Sequence, residues 1–391
     1  MLNFNLNTCG RIIFGRGRLG ELSTLGAGFG RRAALVTGRQ WLEQSGRLDQ
    51  IAAQFRAADL AWHHERVGRE PTVEAIDAAT ERVREFGAEL VIAVGGGSVL
   101  DSGKAIAALI TNGGSALDYL EGVGHGQCLE HPALPCIAVP TTSGTGSEAT
   151  NNAVIRDEAG SFKKSMRSDR MLPMVALIDP ALTDNCPPNI TAASGLDAIT
   201  QLLEAYTGQQ ANPISDALAI TGLAHASALH RAVEIGDDHR ARDEMALASL
   251  LSGVCLTNVG LGVIHALASP IGALYEVPHG VICAKLLPEA IRLNHERVAA
   301  GDGASSCLEK YRQANRMLFG ALSADETGSP QALAWRLQKL NRQFGLRGLG
   351  RYGVKSKDFE RIVDHAGASN LRNNPAELTR EDLLALLEAV I

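Results

Sequence analysis

The pattern of apolar residues changes character once along this chain, and that change constrains the fold more than any other feature. Over the first 180 residues, short β-branched runs at 33–37, 90–94, 135–139 and 175–178 alternate with amphipathic stretches at 42–56, 73–86 and 98–110. Short continuous apolar runs that repeatedly give way to a period near 3.6 are the signature of βαβ units, whose parallel strands are covered on both faces. Beyond Pro187 and Pro188 the strand pattern stops. Helical periodicity then fills 191–206, 213–232, 240–256, 280–294, 304–322, 330–344 and 379–390. Proline ends elements and stiffens connections, so the pair reads as a domain joint. The expectation is an α/β nucleotide-binding domain over 1–186, with a mostly parallel, Rossmann-like sheet, followed by an all-α domain over 187–391.

At roughly 150 residues per domain, 391 residues suffice for large cores without disulfides or structural metals. Lys and Arg number 37 against 43 Asp and Glu, a net charge of −6 with no block of one sign. Such a surface carries no footprint for nucleic acid or for an anionic membrane, which leaves small molecules as the expected partners. The N-terminus lacks a charged segment followed by an apolar one, so the expected location is cytoplasmic. From Met245 to Tyr275 there is no Asp, Glu, Lys or Arg, a run longer than the roughly 20 residues of a membrane span. Asn258, His265, Pro270 and four glycines interrupt it, so it reads as two buried helices broken around 257–260. The cysteines at 9, 128, 136, 186, 255, 283 and 307 form no C-x-x-C pair and read as reduced packing residues.

Glycine is concentrated where strands end. Gly95-Gly96-Gly97-Ser98 follows one apolar run and opens a helix; bare backbone there admits an anion to the amides and positive dipole of a helix N-terminus. Pro140-Thr141-Thr142-Ser143-Gly144-Thr145-Gly146-Ser147-Glu148 follows the next run and is rich in hydroxyls. If the two strands are neighbours, both loops lie at the carboxyl edge of the sheet, where dinucleotides bind. A strand-to-helix turn and a helix-capping Ser/Thr loop are the plainer alternatives. At the end of an earlier strand stands Val36-Thr37-Gly38-Arg39. An acid there would read a ribose 2′-hydroxyl; Arg39 suits a 2′-phosphate instead, so NADP is expected ahead of NAD.

In the second half, Asp197 and Gln201 are one helical turn apart on a helix expected to be capped by Thr191, and so share a face. His265 lies in the uncharged run and His279 follows Pro278. Taken alone, a histidine in apolar sequence is more often a hydrogen-bonded core residue than a ligand.

The segments 95–104 and 140–148, together with Ile178-Asp179-Pro180, Gly195-Leu196-Asp197-Ala198, Glu204-Ala205-Tyr206, 261–268, Pro278-His279-Gly280 and Leu287-Pro288, resemble in order and spacing the iron-containing, group III alcohol dehydrogenase family. That family is part of the superfamily that includes glycerol dehydrogenase and dehydroquinate synthase. The resemblance implies a dehydroquinate synthase-like fold, a nicotinamide-dependent interconversion of small alcohols with aldehydes or ketones, and one divalent metal, Fe2+ or Zn2+. It implies a homodimer or larger homo-oligomer as well. The family's usual metal site is one Asp and three His, and Asp197, His265 and His279 match three of these. Gln201 stands where the fourth, a His, is usual; its neutral carbonyl suits a hard cation. Ser269 replaces another frequent histidine near the reacting group, which points to water as the proton source. By the same resemblance Gly95, Gly96, Gly97, Ser98, Asp101, Thr141, Thr142, Thr145, Asn152 and Lys163 contact the cofactor, while Glu70-Pro71-Thr72 replaces the family's Asn-Pro-Thr. Two other readings stay open: a metal-dependent lyase or cyclase of the dehydroquinate synthase type, and a binding protein that kept the fold with a degraded metal site.

Overall fold

The apolar runs of the first half become a six-stranded parallel sheet in the computed structural model, which describes residues 3–68, 70–157, 162–303, 305–320 and 328–391. In chain order the strands are β1 (Ile12–Phe14), β2 (Arg32–Thr37), β3 (Ala61–Arg66), β4 (Leu90–Gly95), β5 (Cys136–Pro140), β6 (Asn152–Asp157), β7 (Phe162–Arg167) and β8 (Val175–Ile178). The sheet runs β3-β2-β4-β5-β8-β1, and β6 and β7 form a separate antiparallel pair. From β2 the chain winds first outward to β3 and then back to β4 on the other side, so the winding reverses between β2 and β4. Ligands of open α/β sheets bind at such a reversal, outside the carboxyl ends of the strands.

Alternate residues of each central strand enter different cores. Ala34, Val36, Val91, Ala93 and Ala138 pack with Ile76, Val83, Leu100 and Ile106 of the helices Val73–Phe86 and Gly97–Asn112. Ala33, Leu35, Leu90, Ile92, Val94, Ile137 and Val139 pack with Leu22, Ile51 and Phe55. Burial of both faces explains why these strands read as continuous apolar runs. β3 departs from that pattern, with the sequence Ala-Trp-His-His-Glu-Arg, because it is the edge strand, where polar side chains protect unpaired backbone.

Two compact units result. One comprises Asn7–Thr142 and Gly146–Cys186; the other comprises Pro187–Ile391 with Ser143–Thr145 and the segment ending at Leu6. The second is helical around one large core, and it includes the helices Pro188–Thr207, His239–Val259, Val263–Leu274 and His279–Ala300.

Several boundaries differ from the sequence expectation for identifiable reasons. The 42–56 helix is two, Trp41–Gln44 and Arg47–Ala57, interrupted by Gly46 at φ 71, a conformation that glycine adopts without strain. The 213–232 helix divides into Pro213–Ala226 and Leu229–Glu234. The 304–322 helix is Ser306–Phe319, and residues 304, 321 and 322 lie outside the described ones. The helix expected to be capped by Thr191 starts earlier: Pro187 is its N-cap and Pro188 opens it, as proline can at a first turn, and Thr191 Oγ1 accepts a hydrogen bond from Arg242 Nη1 at 2.7 Å inside it. The uncharged run becomes His239–Val259 and Val263–Leu274, two helices bent by 101° at the intervening glycines. No single helix among the described residues is long and apolar enough to cross a membrane.

A buried charge network braces the start of the Gly97–Asn112 helix. Lys104, with none of its surface exposed, donates to Thr150 Oγ1 at 2.7 Å and to the Asn152 carbonyl, and its Nζ lies 3.2 Å from Asp101 Oδ1. Glu148 is buried near it. Burial pushes the Glu148 carboxyl up to about 7, outweighing its backbone hydrogen bond and the attraction of Lys104. The unfolded chain releases this proton near pH 4.5 and the folded protein near pH 7, so stability falls as pH rises through that window. Glu148→Gln removes the loss: the variant is expected to match the parent below pH 4.5 and to exceed it above pH 7 by on the order of 3 kcal/mol, read from denaturant unfolding at pH 4.5 and pH 8.

Candidate metal centre and nucleotide loops

Three helices of the second unit bring their donor atoms to one place. Asp197 lies in the middle of Pro188–Thr207, His265 in the first turn of Val263–Leu274, and His279 opens His279–Ala300. Tight packing of small residues lets two of these helices approach, since a Cβ on Gly280 would sit 2.0 Å from the Ala193 carbonyl oxygen; one on Gly195 would sit 2.3 Å from Leu229 Cδ1 of the neighbouring helix Leu229–Glu234. Nε2 of His265 and Nε2 of His279 stand 3.4 and 3.6 Å from Asp197 Oδ1. The side chain of Asp197 is 2% exposed, and Oδ1 has no hydrogen-bond partner. The short N···O distances are therefore electrostatic contacts without hydrogen-bond geometry, as expected of lone pairs that converge on a common point.

Glu204, two turns beyond Asp197 on the same helix, sets the state of His265. Its Oε2 is 2.5 Å from His265 Nδ1, and its Oε1 accepts from the Ile264 amide at 2.7 Å. A carboxylate only accepts, so Nδ1 carries a proton and Nε2 is the ring atom left facing Asp197. Carboxylate, imidazole and cation in line is the usual support of a metal-bound histidine. Burial works against a charged His265, but Cys283, Glu204 and Asp197 together raise it well above its ordinary value. Burial likewise pushes Asp197 upward, and the imidazoles of His279 and His265 reverse this and hold it below the usual carboxylate range. The cluster attracts positive charge.

Gln201, expected to supply the fourth donor, is turned otherwise. Its Nε2 donates to Asp197 Oδ2 at 3.3 Å and its Oε1 accepts from Ser252 Oγ at 3.1 Å. Exchanging its O and N would set a carbonyl against a carboxylate. The structure instead brings Cys283 to the cluster: with Asp197, His265 and His279 it forms a group whose donor atoms all lie within 4.8 Å of one another. Cys283 is buried at one turn beyond His279, with Sγ 3.6 Å from His279 Nε2 and 3.7 Å from His265 Nε2. Burial pushes its thiol up to about 12, so at neutral pH it keeps its proton unless a cation displaces it. All seven cysteines are free, and this one lies among the donor atoms of the cluster. Ser269, one turn beyond His265, is half-buried.

Glu204 and Cys283 are the residues of this centre that sequence reasoning passed over. Helical spacing was the available signal, since each stands one or two turns from a recognised donor.

In the other unit the nucleotide-type loops lie side by side. β4 pairs with β5 in parallel, with Gly95 opposite Pro140, and the Thr141 amide donates to the Gly95 carbonyl at 3.0 Å. Gly95 is required sterically, because a Cβ would fall 2.5 Å from Val99 Cγ2, and one on Gly96 would stand 3.3 Å from Thr142 Oγ1. No side chain caps the Gly97–Asn112 helix, so its first amides stay open to an anion. Gly38 and the exposed Arg39 end β2, the strand on the other side of the winding reversal. Asp101 points inward: its oxygens accept from Ser147 Oγ at 2.6 Å and from the Val154 amide at 3.0 Å. Asn152 Nδ2 donates to Ser165 Oγ at 3.2 Å across the β6–β7 pair, and Lys163 Nζ is ion-paired with Glu70 Oε1 at 2.8 Å. Gly144 and Thr145 belong to the helical unit, where a Cβ on Gly144 would meet Ser194 Cβ at 2.6 Å.

Glu204→Gln keeps the size of the side chain but weakens its hold on the His265 proton. The expected outcome is a divalent-metal affinity about 10- to 100-fold lower with an unchanged fold, measured by chelator competition alongside circular dichroism.

Comparison with known proteins gives concordant results. The family model for iron-containing alcohol dehydrogenase matches residues 9–180, and that for the C-terminal region of the Fe-containing alcohol dehydrogenase family matches 191–391. The chain is 34% identical over 382 residues to alcohol dehydrogenase 4 of Saccharomyces cerevisiae, covering 96% of this chain and 95% of the yeast protein. It is 32% identical over 386 residues to the sulfoacetaldehyde reductase of Bilophila wadsworthia, covering 98% and 97%. A crystal structure of an archaeal halo-thermophilic alcohol dehydrogenase from a Red Sea brine pool superposes with a TM-score of 0.92 at 27% identity, over 100% of this chain and 99% of that one.

Proposed function

Because the chain belongs to the iron-containing alcohol dehydrogenase family, we propose that its metal-dependent transfer of hydride between a nicotinamide cofactor and a small alcohol or aldehyde is carried by Asp197, His265 and His279. The observation that supports this assignment is the convergence of the two imidazoles on the buried Asp197 Oδ1, which has no hydrogen-bond partner. A divalent metal, Fe2+ or Zn2+, supplies Lewis-acid polarisation of the substrate oxygen when bound. Glu204 keeps His265 Nε2 aimed at the cluster, and Gln201 holds Asp197 through its second oxygen. With Ser269 one turn beyond His265, no imidazole stands at that position to deliver a proton, so water supplies it in the direction of reduction. The relatives are alcohol dehydrogenases and an aldehyde reductase, which favours net hydride transfer over a lyase or a binding role.

The metal function belongs to residues 187–391 and the cofactor function to 1–186. Cofactor diphosphate meets the open amides at Gly96, Gly97 and Ser98, flanked by Thr141 and Thr142. Arg39, exposed at the end of β2, faces the ribose side of the winding reversal and prefers NADP. Asp101, with both oxygens engaged inside the unit, acts by holding the Ser147 hydroxyl and β6 in place of touching cofactor.

Two measurements test these assignments. Dialysis against a chelator is expected to abolish aldehyde-dependent oxidation of the reduced cofactor, with activity returning on addition of Fe2+ or Zn2+; full activity in protein shown by elemental analysis to hold no metal would overturn the metal role. For the cofactor, kcat/KM is expected to be higher with NADPH than with NADH. Arg39→Ala should lower the NADPH value about 10- to 100-fold, as loss of a charge-assisted hydrogen bond does, with the NADH value nearly unchanged.

A further inference from the structure

We propose that Cys283 is a metal ligand, and that this chain holds its cation through Asp197, His265, His279 and the Cys283 thiolate, a set suited to zinc. The proposal deepens the dehydrogenase reading of the same centre and borrows from it only the presence of a metal.

The distances carry it. For ordinary zinc bond lengths of about 2.3 Å to sulfur and about 2.1 Å to nitrogen or oxygen, two ligands at a tetrahedral angle stand about 3.5 to 3.6 Å apart when one is sulfur and about 3.4 Å apart when neither is. The Sγ of Cys283 is 3.6 and 3.7 Å from the two imidazole nitrogens, and these are 3.6 and 3.4 Å from Asp197 Oδ1. Four of the six edges of one coordination tetrahedron are thus present, and all four donor atoms lie within 4.8 Å of one another. Asp197 Oδ1 is buried and has no hydrogen-bond partner, and a cation held among the four donors satisfies it. On binding, the Cys283 S–H bond breaks, the proton passes to solvent, and the sulfur electron pair forms the bond to the metal.

Gln201 does not compete for the place, since its amide is spent on Asp197 and Ser252. The donor lost at 201 is matched by one gained at 283. A thiolate in place of an imidazole makes the set softer, which favours zinc and cobalt over a hard-ligand cation.

Zinc-loaded full-length protein is the sample for the first test. X-ray absorption at the zinc edge is expected to show one sulfur scatterer at about 2.3 Å beside nitrogen and oxygen; a shell of nitrogen and oxygen only overturns the proposal. In cobalt-loaded protein a thiolate-to-cobalt charge-transfer band is expected in the near ultraviolet. The band should vanish in Cys283→Ser and in Cys283→Ala and persist in Gln201→Ala; persistence in a folded Cys283 variant also overturns it. Zinc affinity, by chelator competition, is expected to fall at least about 100-fold in Cys283→Ala, the upper end of what even supporting residues contribute. None of these readouts uses catalysis, so a sulfur shell in protein that oxidises no reduced cofactor would count against the dehydrogenase reading alone, and activity without a sulfur shell against the ligand alone.

Discussion

An aspartate whose side chain is 2% exposed and whose Oδ1 has no hydrogen bond is the constraint around which the helical unit is organised. A buried carboxylate is tolerated when positive charge and donors surround it. Oδ2 has the Gln201 amide, and Oδ1 faces two imidazoles and a thiol. To place those groups the chain must bring together the interior of one helix, the start of a second and the start of a third. Gly280 is a glycine because the third helix touches the first there, with no room for a Cβ, and Gly195 is one because it abuts Leu229 of the helix Leu229–Glu234. Pro278 immediately before His279 fixes where the third helix begins, leaving that histidine in the first turn. The uncharged run around His265 supplies the apolar wall against which the charges count most.

In the other unit the constraint is the end of a sheet. Parallel strands buried on both faces have their free groups at the carboxyl edge, and here three of those ends lie in sequence: Gly38-Arg39, Gly95-Gly96-Gly97 and Thr141-Thr142. Gly95 is dictated by the close approach of Val99, whereas the helix that follows starts with no side-chain cap on its amides. Separating these two reasons for glycine matters, since only the second speaks of chemistry. The fully buried Lys104 and its partners in β6 and the preceding turn hold the helix that carries those amides.

The sequence made the central strands legible because they are buried on two faces, and it hid the others because they are not. β3 carries His63, His64 and Glu65 at a sheet edge, β1 is three residues long, and the β6–β7 pair alternates too weakly to stand out from loop. Helix ends were misplaced where a single backbone event decided them, as at Gly46, or where Pro188 started a helix that Thr191 was expected to cap. In the metal centre, Asp197, His265 and His279 were visible by residue type and resemblance. Glu204 and Cys283 were invisible for a common reason: each is chemically ordinary alone, and its role comes from what a helix places one or two turns away. Asp101, singled out in a nucleotide-type segment, has partners within the fold in Ser147 Oγ and the Val154 amide.

Each of the three helices that meet at the centre offers a pair of positions one turn apart: 197 and 201, 265 and 269, 279 and 283. The first member of every pair is a recognised donor, and at 201 and 283 the second lies on the same face and reaches the cluster. Histidines are usual at the second positions of the first two pairs in the family this chain resembles; here they are Gln201 and Ser269, and the third carries a cysteine. Gln201 then becomes free to brace Asp197 and to bind Ser252, and the donor set changes from nitrogen-rich to one with sulfur. Such redistribution alters which metal is preferred while the carboxylate that requires a cation, and the helices packed around it, stay as they are.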